Sequence, residues 1–338
     1  MEPILLLAHT EADGSLARPA LEALVAALAL GGEVTVGMVG ATAQSAADQI
    51  ASCGAVRFVA VTGEAFAIPR YATDAAAAEA LCRAAGAAIV IAPATSRWAR
   101  ALPGVAYRLG GRVDTHATAL AMRNDVPGVS RWFYRQRIEA VLTRSQRPWI
   151  VLLDPGCVPA WSGAPGAANL EEIAVDMVPS RTSVLGAEAS QADEQTIRPD
   201  AKLLFVAGAG WTKKQADGVP HPAEAEELIL GFLRASHASL GGSKSLVDLS
   251  GQGQPVLRFM THLNQIGQTG STPRHAKGLS TCCHGEEPHV VGWRFVNDRR
   301  AVNLDANCGW ARGKADVLYV ADAFAVMFQL NTLLSTNR

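Results

Sequence analysis

Residues 4–39 read ILLLAHTEADGSLARPALEALVAALALGGEVTVGMV. Two runs of β-formers, Ile4 to Ala8 and Glu33 to Val39, flank an Ala/Leu-rich stretch, Leu16 to Leu30, whose apolar residues recur at helical spacing and which stops at Gly31-Gly32. Strand, helix and strand in that order make a βαβ unit, which builds a parallel sheet covered on both faces. The rhythm continues with a helix over Ala43 to Cys53, a strand over Arg57 to Thr62, a helix over Asp74 to Ala85 and a near-continuous apolar strand over Ala88 to Ala92. Arg97 to Leu109 is helical in pattern. Thr115 to Met122, Val129 to Arg135, Ile138 to Leu142 and Trp149 to Leu153 are further strands, the last leading into Asp154-Pro155-Gly156.

From Pro179 to Lys202 the composition shifts to Ser, Ala, Glu, Gln, Asp and Pro without sustained periodicity, the pattern of an exposed connector. Beyond it Leu203 to Ala207 is a strand entering the turn Gly208-Ala209-Gly210-Trp211. A helix over Pro222 to Ser236, a strand near Ser245 to Leu249 and a last helix over roughly Ala321 to Leu334 follow. The expectation is an α/β protein of two domains, residues 1–180 and 202–338, joined by a linker over 181–201. Each domain is a mainly parallel sheet flanked by helices, of nucleotide-binding type.

Composition narrows the function. Hydrophobic residues at 49% and charged residues at 18% belong to a chain that folds compactly. Thirty Lys+Arg against 31 Asp+Glu leave a net charge of -1, so no global field gathers nucleic acid or an anionic membrane. The six cysteines include no CxxC pair, which argues against a disulfide framework, a zinc ribbon or an iron–sulfur motif and fits a reducing cytoplasm. Met-Glu-Pro runs straight into the first strand without a signal-peptide pattern, and no apolar run approaches the roughly 20 residues that cross a bilayer.

The chemistry-bearing stretches are few. The turn after Leu203 to Ala207 has Gly208 and Gly210 but Lys213 where a dinucleotide fingerprint needs its third glycine, which disfavours a Rossmann NAD site. Its backbone amides could face a phosphate or flavin beside Lys213 and Lys214; an ordinary strand-to-helix turn with solvated lysines fits equally. Gln268-Thr269-Gly270-Ser271-Thr272 offers hydroxyls, an amide and close backbone approach to a heterocycle or pyrophosphate, or is a plain surface loop. Cys282, Cys283, His284, Glu286, Glu287, His289 and Cys308 carry zinc-ligand chemistry, but the ligand spacing of a zinc site is absent, and no metal site is expected. Neither an activated Cys–His pair nor a GxSxG elbow for Ser-His-Asp hydrolysis is present.

On this ground the chain resembles the alpha subunit of electron transfer flavoprotein over nearly its whole length. The first half follows the family in Ser15-Leu16-Ala17, Leu21-Glu22-Ala23-Leu24, Ile91-Ala92-Pro93-Ala94-Thr95 and the Val129 to Val141 region. In the second half Gln268-Thr269-Gly270 resembles the family's flavin loop, and His289 follows 20 residues after Thr269, as in the family. Gly292 comes three positions on, Ala301-Val302-Asn303-Leu304-Asp305 resembles the family's Ala-Ile-Asn-Lys-Asp, and after one inserted residue Asp322-Ala323-Phe324 lines up with its terminal helix.

The resemblance implies a C-terminal FAD-binding domain. Thr269 and His289 would hydrogen-bond the flavin and its ribityl region, His289 near the C2 carbonyl, and Asn303 and Asp322 would hold the adenosine half. Such donors tune a cofactor that itself carries the chemistry, so no catalytic acid or base is implied. It also implies a beta subunit as partner in a heterodimer, a flavin dehydrogenase as electron donor and a quinone oxidoreductase of the respiratory chain as acceptor. The chain is then an electron carrier with no substrate turnover of its own.

The departures bear on the flavin. The family's arginine, in a Gly-Gly-Arg-Gly turn, is Gly210 here, followed by Trp211. Its loop Gly-Ile-Ser-Gly-Ala-Ile-Gln-His is Cys282 to His289, with His284 for the serine, Gly285 retained and Pro288 for the glutamine; Ser271 replaces the lysine after Gln-Thr-Gly. Lys213, Lys214 or His284 would then supply positive charge, or Trp211 would stack on the ring, while Glu286 and Glu287 oppose an anionic flavin. The alternative is a flavin-free paralogue acting as a binding or scaffold subunit.

Overall fold

A computed structural model of the chain describes residues 2–133, 138–176, 182–186, 197–198, 201–248, 255–266, 274–282, 296–308, 311–312 and 315–336. The chain divides into two units, Met1–Glu188 and Ala189–Arg338. The connector expected over 181–201 falls largely outside the described residues.

In the first unit β1 (Ile4–His9), β2 (Val34–Gly40), β3 (Arg57–Thr62), β4 (Ile89–Pro93), β5 (Arg112–Ala117), β9 (Trp149–Leu153) and β10 (Leu170–Glu172) form one sheet in the order β10-β3-β2-β1-β4-β9-β5. Every neighbouring pair is parallel. The uninterrupted apolar run of β1 is what a two-faced strand requires. Ile4, Leu6 and Ala8 pack with Ala20, Ala23, Leu24 and Ala27 of α1 (Arg18–Leu28) and Ala46 and Ala47 of α2 (Gln44–Gln49). Leu5 and Leu7 face Ala75, Ala78 and Leu81 of α3 (Tyr71–Ala84) and Trp98, Leu102 and Val105 of α4 (Ser96–Arg108). Each of these fully buried leucines contributes about 1.5–3 kcal/mol of burial. Pro19 sits in the first turn of α1, where its missing N–H is harmless, and Gly31 ends the segment with φ +70°.

The single strand expected over Thr115 to Met122 is two. His116 adopts a left-handed φ of 56° and the β5–β9 register shifts between Asp114 and Ala117, which turns the chain out of the parallel sheet. It continues as β6 (Ala119–Arg123), β7 (Val126–Phe133) and β8 (Ile138–Leu142), an antiparallel sheet of three. Arg123 pairs with Val126 across Asn124-Asp125, whose φ values of 49° and 61° are those of a two-residue hairpin matched to strand twist.

The second unit repeats the architecture. β11 (Leu203–Ala207), β12 (Ser239–Gly242), β13 (His275–Thr281), β14 (Val296–Asn303) and β15 (Val317–Val320) lie in the order β12-β11-β13-β14-β15, all parallel. On one face Phe205, Ala207, Leu240 and Val302 pack with Ile229 and Phe232 of α5 (Pro222–Ser236) and with Ala323 and Met327 of α7 (Ala323–Thr336). On the other, Leu204 and Val206 meet Ile266, Val296 and Ala301. The strand expected near Ser245 to Leu249 is instead a short helix, α6 (Lys244–Asp248), whose first turn is capped by Leu246 N–H donating to Ser243 Oγ at 3.1 Å. The strand is Ser239–Gly242, just before it. Its two glycines have poor strand propensity, but a Cβ at Gly241 would stand 2.5 Å from Ile266 Cγ2, so close packing demands glycine there.

No helix among the described residues is long and apolar enough to cross a membrane.

Candidate functional site

In the second unit the first strand, β11, lies between the second and the third, so the direction of winding reverses between β11 and β13 and makes a topological switch point at their carboxyl ends. Ligands of doubly wound sheets bind at this point. The register brings Ala207 opposite Thr281, Thr281 opposite Val302, and Asn303 opposite Val320. The segments that carry Gly208–Lys213, Cys282, Asn303–Asp305 and Asp322 therefore emerge at one edge of the sheet.

The β11 turn is tightly held. Gly208 N–H donates to Thr281 O at 2.9 Å, Gly210 N–H to Cys282 O at 2.9 Å, Trp211 N–H to Gly208 O at 3.3 Å and Lys213 N–H to Gly210 O at 3.2 Å. These four amide hydrogens are taken within the protein, so of the two readings of this turn they fit the ordinary strand-to-helix turn and not amides turned to a phosphate. Gly210 and Trp211 are buried. The Trp211 ring packs against Phe324 at 4.6 Å between centroids, and its indole N–H donates to Thr281 Oγ1 at 2.8 Å. Lys213 is exposed, its carbonyl accepting from Gln215 Nε2 at 2.7 Å.

At the end of β14, Asn303 is 4% exposed and its Oδ1 accepts Asp305 N–H at 2.9 Å; Asp305 Oδ1 in turn accepts Asn307 N–H at 2.8 Å. These consecutive Asx turns bend the chain sharply away from the strand. Asp322 caps α7, its Oδ1 accepting Ala325 N–H at 2.9 Å, and Ala321 N–H donates to Asn303 O at 3.2 Å. The donor set suits a dinucleotide: carboxylates and an amide that can hold ribose hydroxyls stand beside the switch point. Gln268, Thr269, Gly270, Ser271, His284, Gly285 and His289 lie outside the described residues.

Sequence reasoning passed over Thr281 and the conformation of Cys282. Thr281 is the acceptor that Trp211 needs, and Cys282, half-buried at φ 56°, turns the chain out of β13. Only strand pairing places them; no motif marks them.

At the opposite, amino edge of the first unit a cavity of about 290 Å³ opens between Glu2, Ile4, Leu30, Ile89 and the β6–β7 hairpin. Its arginine, Arg147, is clamped by Glu2 through Nε at 2.6 Å and Nη2 at 2.7 Å, and this bond holds the Glu2 carboxyl below its usual range. The cavity thus has apolar walls and a neutralised cation.

Two α/β units, each built on a parallel sheet flanked by helices, define the class of fold. The model of the electron transfer flavoprotein domain family matches residues 4–178, just over half of the chain. The electron transfer flavoprotein subunit alpha of Paracoccus denitrificans is 26% identical over 329 residues, covering 97% of this chain and 98% of that protein. The chain belongs to the electron transfer flavoprotein family, as a divergent member similar to the alpha subunit.

Proposed function

We propose that the chain binds one FAD within residues 200–335 and, paired with a beta subunit, carries electrons from a flavin dehydrogenase to a quinone oxidoreductase. The observation that supports it most is that Asn303, Asp305, Asp322 and the Gly210–Trp211 turn all lie at the carboxyl edge of one parallel sheet, whose switch point falls between β11 and β13. Family membership supports the carrier role, since electron transfer flavoproteins relay electrons and do not turn over a substrate. When bound, the flavin supplies the electron-accepting ring.

The chain's own residues do the rest. Asn303 and Asp322 hold the adenosine half, with Asp305 at the same bend. By the resemblance, Gln268, Thr269, Gly270, Ser271, His284, Gly285 and His289 would hold the flavin and ribityl portion, and donors among them would favour the reduced anionic form. With Gly210 in place of an arginine, Lys213 is the nearest described cation in the turn, and it is exposed, which retunes the flavin relative to the family. The low cysteine count and the absence of a CxxC pair support a reducing cytoplasm as the place of work.

A second reading, a flavin-free subunit that keeps the fold for binding or scaffolding, is favoured by the four amides already taken within the β11 turn. The visible absorption spectrum of the gently purified heterodimer, with identification of any released flavin, separates the two. Flavin bands with stoichiometric FAD are expected. A colourless, folded heterodimer that takes up no added FAD overturns the carrier reading.

A further inference from the structure

Trp211 joins three elements that meet at the carboxyl edge of the sheet. It stands in the turn after β11. Its indole N–H donates to Thr281 Oγ1 at 2.8 Å, on the last residue of β13, and its ring packs at 4.6 Å and 52° against Phe324 in the first turn of α7. The tryptophan is fully buried, so it works as an internal strut and presents no surface to a ligand.

The strut acts on both ends of the proposed site. Thr281 immediately precedes Cys282, whose N–H donates to Val302 O at 3.3 Å and whose carbonyl accepts Gly210 N–H, so Trp211 fixes the carboxyl end of β13 against the β11 turn and β14. Phe324 follows Asp322 by two residues, on the helix that Asp322 caps. Thr281 Oγ1 also reaches Val206 O at 3.4 Å, so its hydroxyl can donate to β11 while it accepts from the indole. A buried indole N–H with one acceptor in place is costly to leave unmatched, which makes the tie specific to this pair.

We propose that Trp211 is a positioning residue of the site that would hold FAD: through Thr281 and Phe324 it sets the spacing between the carboxyl ends of β11 and β13 and the start of α7, where Asp322 stands. The inference rests on the reading that the second unit holds FAD. It concerns this chain's own departure from its family, because Trp211 follows the position where the family's arginine is replaced by Gly210. The spacing that a flexible turn would leave adjustable is here preset from within the core.

The test uses the intact heterodimer with Trp211→Phe, which keeps a ring and removes the N–H, and Thr281→Val, which keeps the shape and removes the acceptor. Each is expected to raise the Kd for added FAD about tenfold and to broaden the visible flavin bands. The double variant is expected to raise it no further than Thr281→Val alone, a coupling of about 1.4 kcal/mol, because both changes break the Trp211–Thr281 bond, while the bond of Thr281 to Val206 O is lost in Thr281→Val and in the double variant alike. Thr281→Ser, which keeps the hydroxyl, restores the parent affinity and spectrum. If Trp211→Phe proves insoluble, the Thr281→Val and Thr281→Ser pair carries the test alone. Lower thermal stability with unchanged FAD affinity and unchanged bands overturns the proposal and leaves Trp211 a core residue. A parent heterodimer without flavin is a different failure, that of the carrier reading itself.

Discussion

Asp74 of α3 and Arg97 of α4 form a salt bridge sealed from solvent, with Arg97 Nη2 at 2.8 Å and Nε at 3.0 Å from Asp74 Oδ1 and side-chain exposures of 4% and 0% for arginine and aspartate. Arg97 Nη2 also donates to Phe66 O at 2.7 Å, and Arg70 N–H donates to Asp74 Oδ2 at 3.1 Å, so one carboxylate joins the starts of two helices. Such a pair adds little over a well-packed apolar pair, yet breaking it strands a buried charge.

Asp74→Ala is therefore expected to destabilise the protein by about 3–5 kcal/mol, measured by denaturant unfolding, while the double variant Asp74→Leu, Arg97→Met recovers most of that loss. A loss below about 1 kcal/mol for Asp74→Ala would show that Arg97 finds another anion or water.

His9, at the end of β1, packs its ring at 6.0 Å from Trp98, and burial, then the Arg97 charge, lowers its pKa below the usual value of 6.5. The folded state therefore binds fewer protons at this site than the unfolded chain does. The contribution is fully present above pH of about 6.5 and is lost as pH falls through the lowered folded value. Thermal midpoints should drop on acidification below neutrality, and His9→Phe, which keeps a ring, should flatten that part of the profile. An unchanged slope in the variant would assign the acid sensitivity to the carboxylates.

Asp322 serves as the N-cap of α7, so Asp322→Ala is expected to cost about 1 kcal/mol, whereas Asp322→Asn, which keeps an acceptor oxygen, costs only a few tenths. Chemical denaturation of the two variants checks the difference. Equal losses would mean that the charge, not the cap geometry, stabilises the helix start.

Gly210 lies outside the left-handed region that favours glycine, so its backbone accepts another residue, and Gly210→Arg returns a cation to the turn. On the carrier reading the reduction potential of the bound flavin should rise, because a nearby positive charge favours the reduced anionic form, with FAD content unchanged. Spectroelectrochemical titration of parent and variant heterodimers reads this directly. A gain in FAD affinity without a shift in potential would indicate a decayed site instead of a retuned one.

The strands and helices that were legible from the chain are those whose signal is local. Ile4–His9 lies under an unbroken apolar run, and Pro222–Ser236 under a helical pattern opened by proline, and both stand where periodicity places them. The misplaced strand, Ser239–Gly242, is the opposite case. Its residues make poor strand formers, and its parallel register with Leu204–Ala207 and the close approach of Ile266 to Gly241 come from distant parts of the chain.

The site divides in the same way. Asn303, Asp305 and Asp322 were named through the resemblance to the electron transfer flavoprotein alpha subunit, which rests on residues and spacings written in the sequence. That Trp211 is an internal strut and that the Gly208 and Gly210 amides are already bonded to Thr281 and Cys282 were decided by tertiary structure alone. Local sequence sets periodicity, turn chemistry and the donors available. Which of those donors meet, and which remain for a ligand, depends on strand order and register, and these follow from burying both faces of a sheet whose strands lie far apart in the chain.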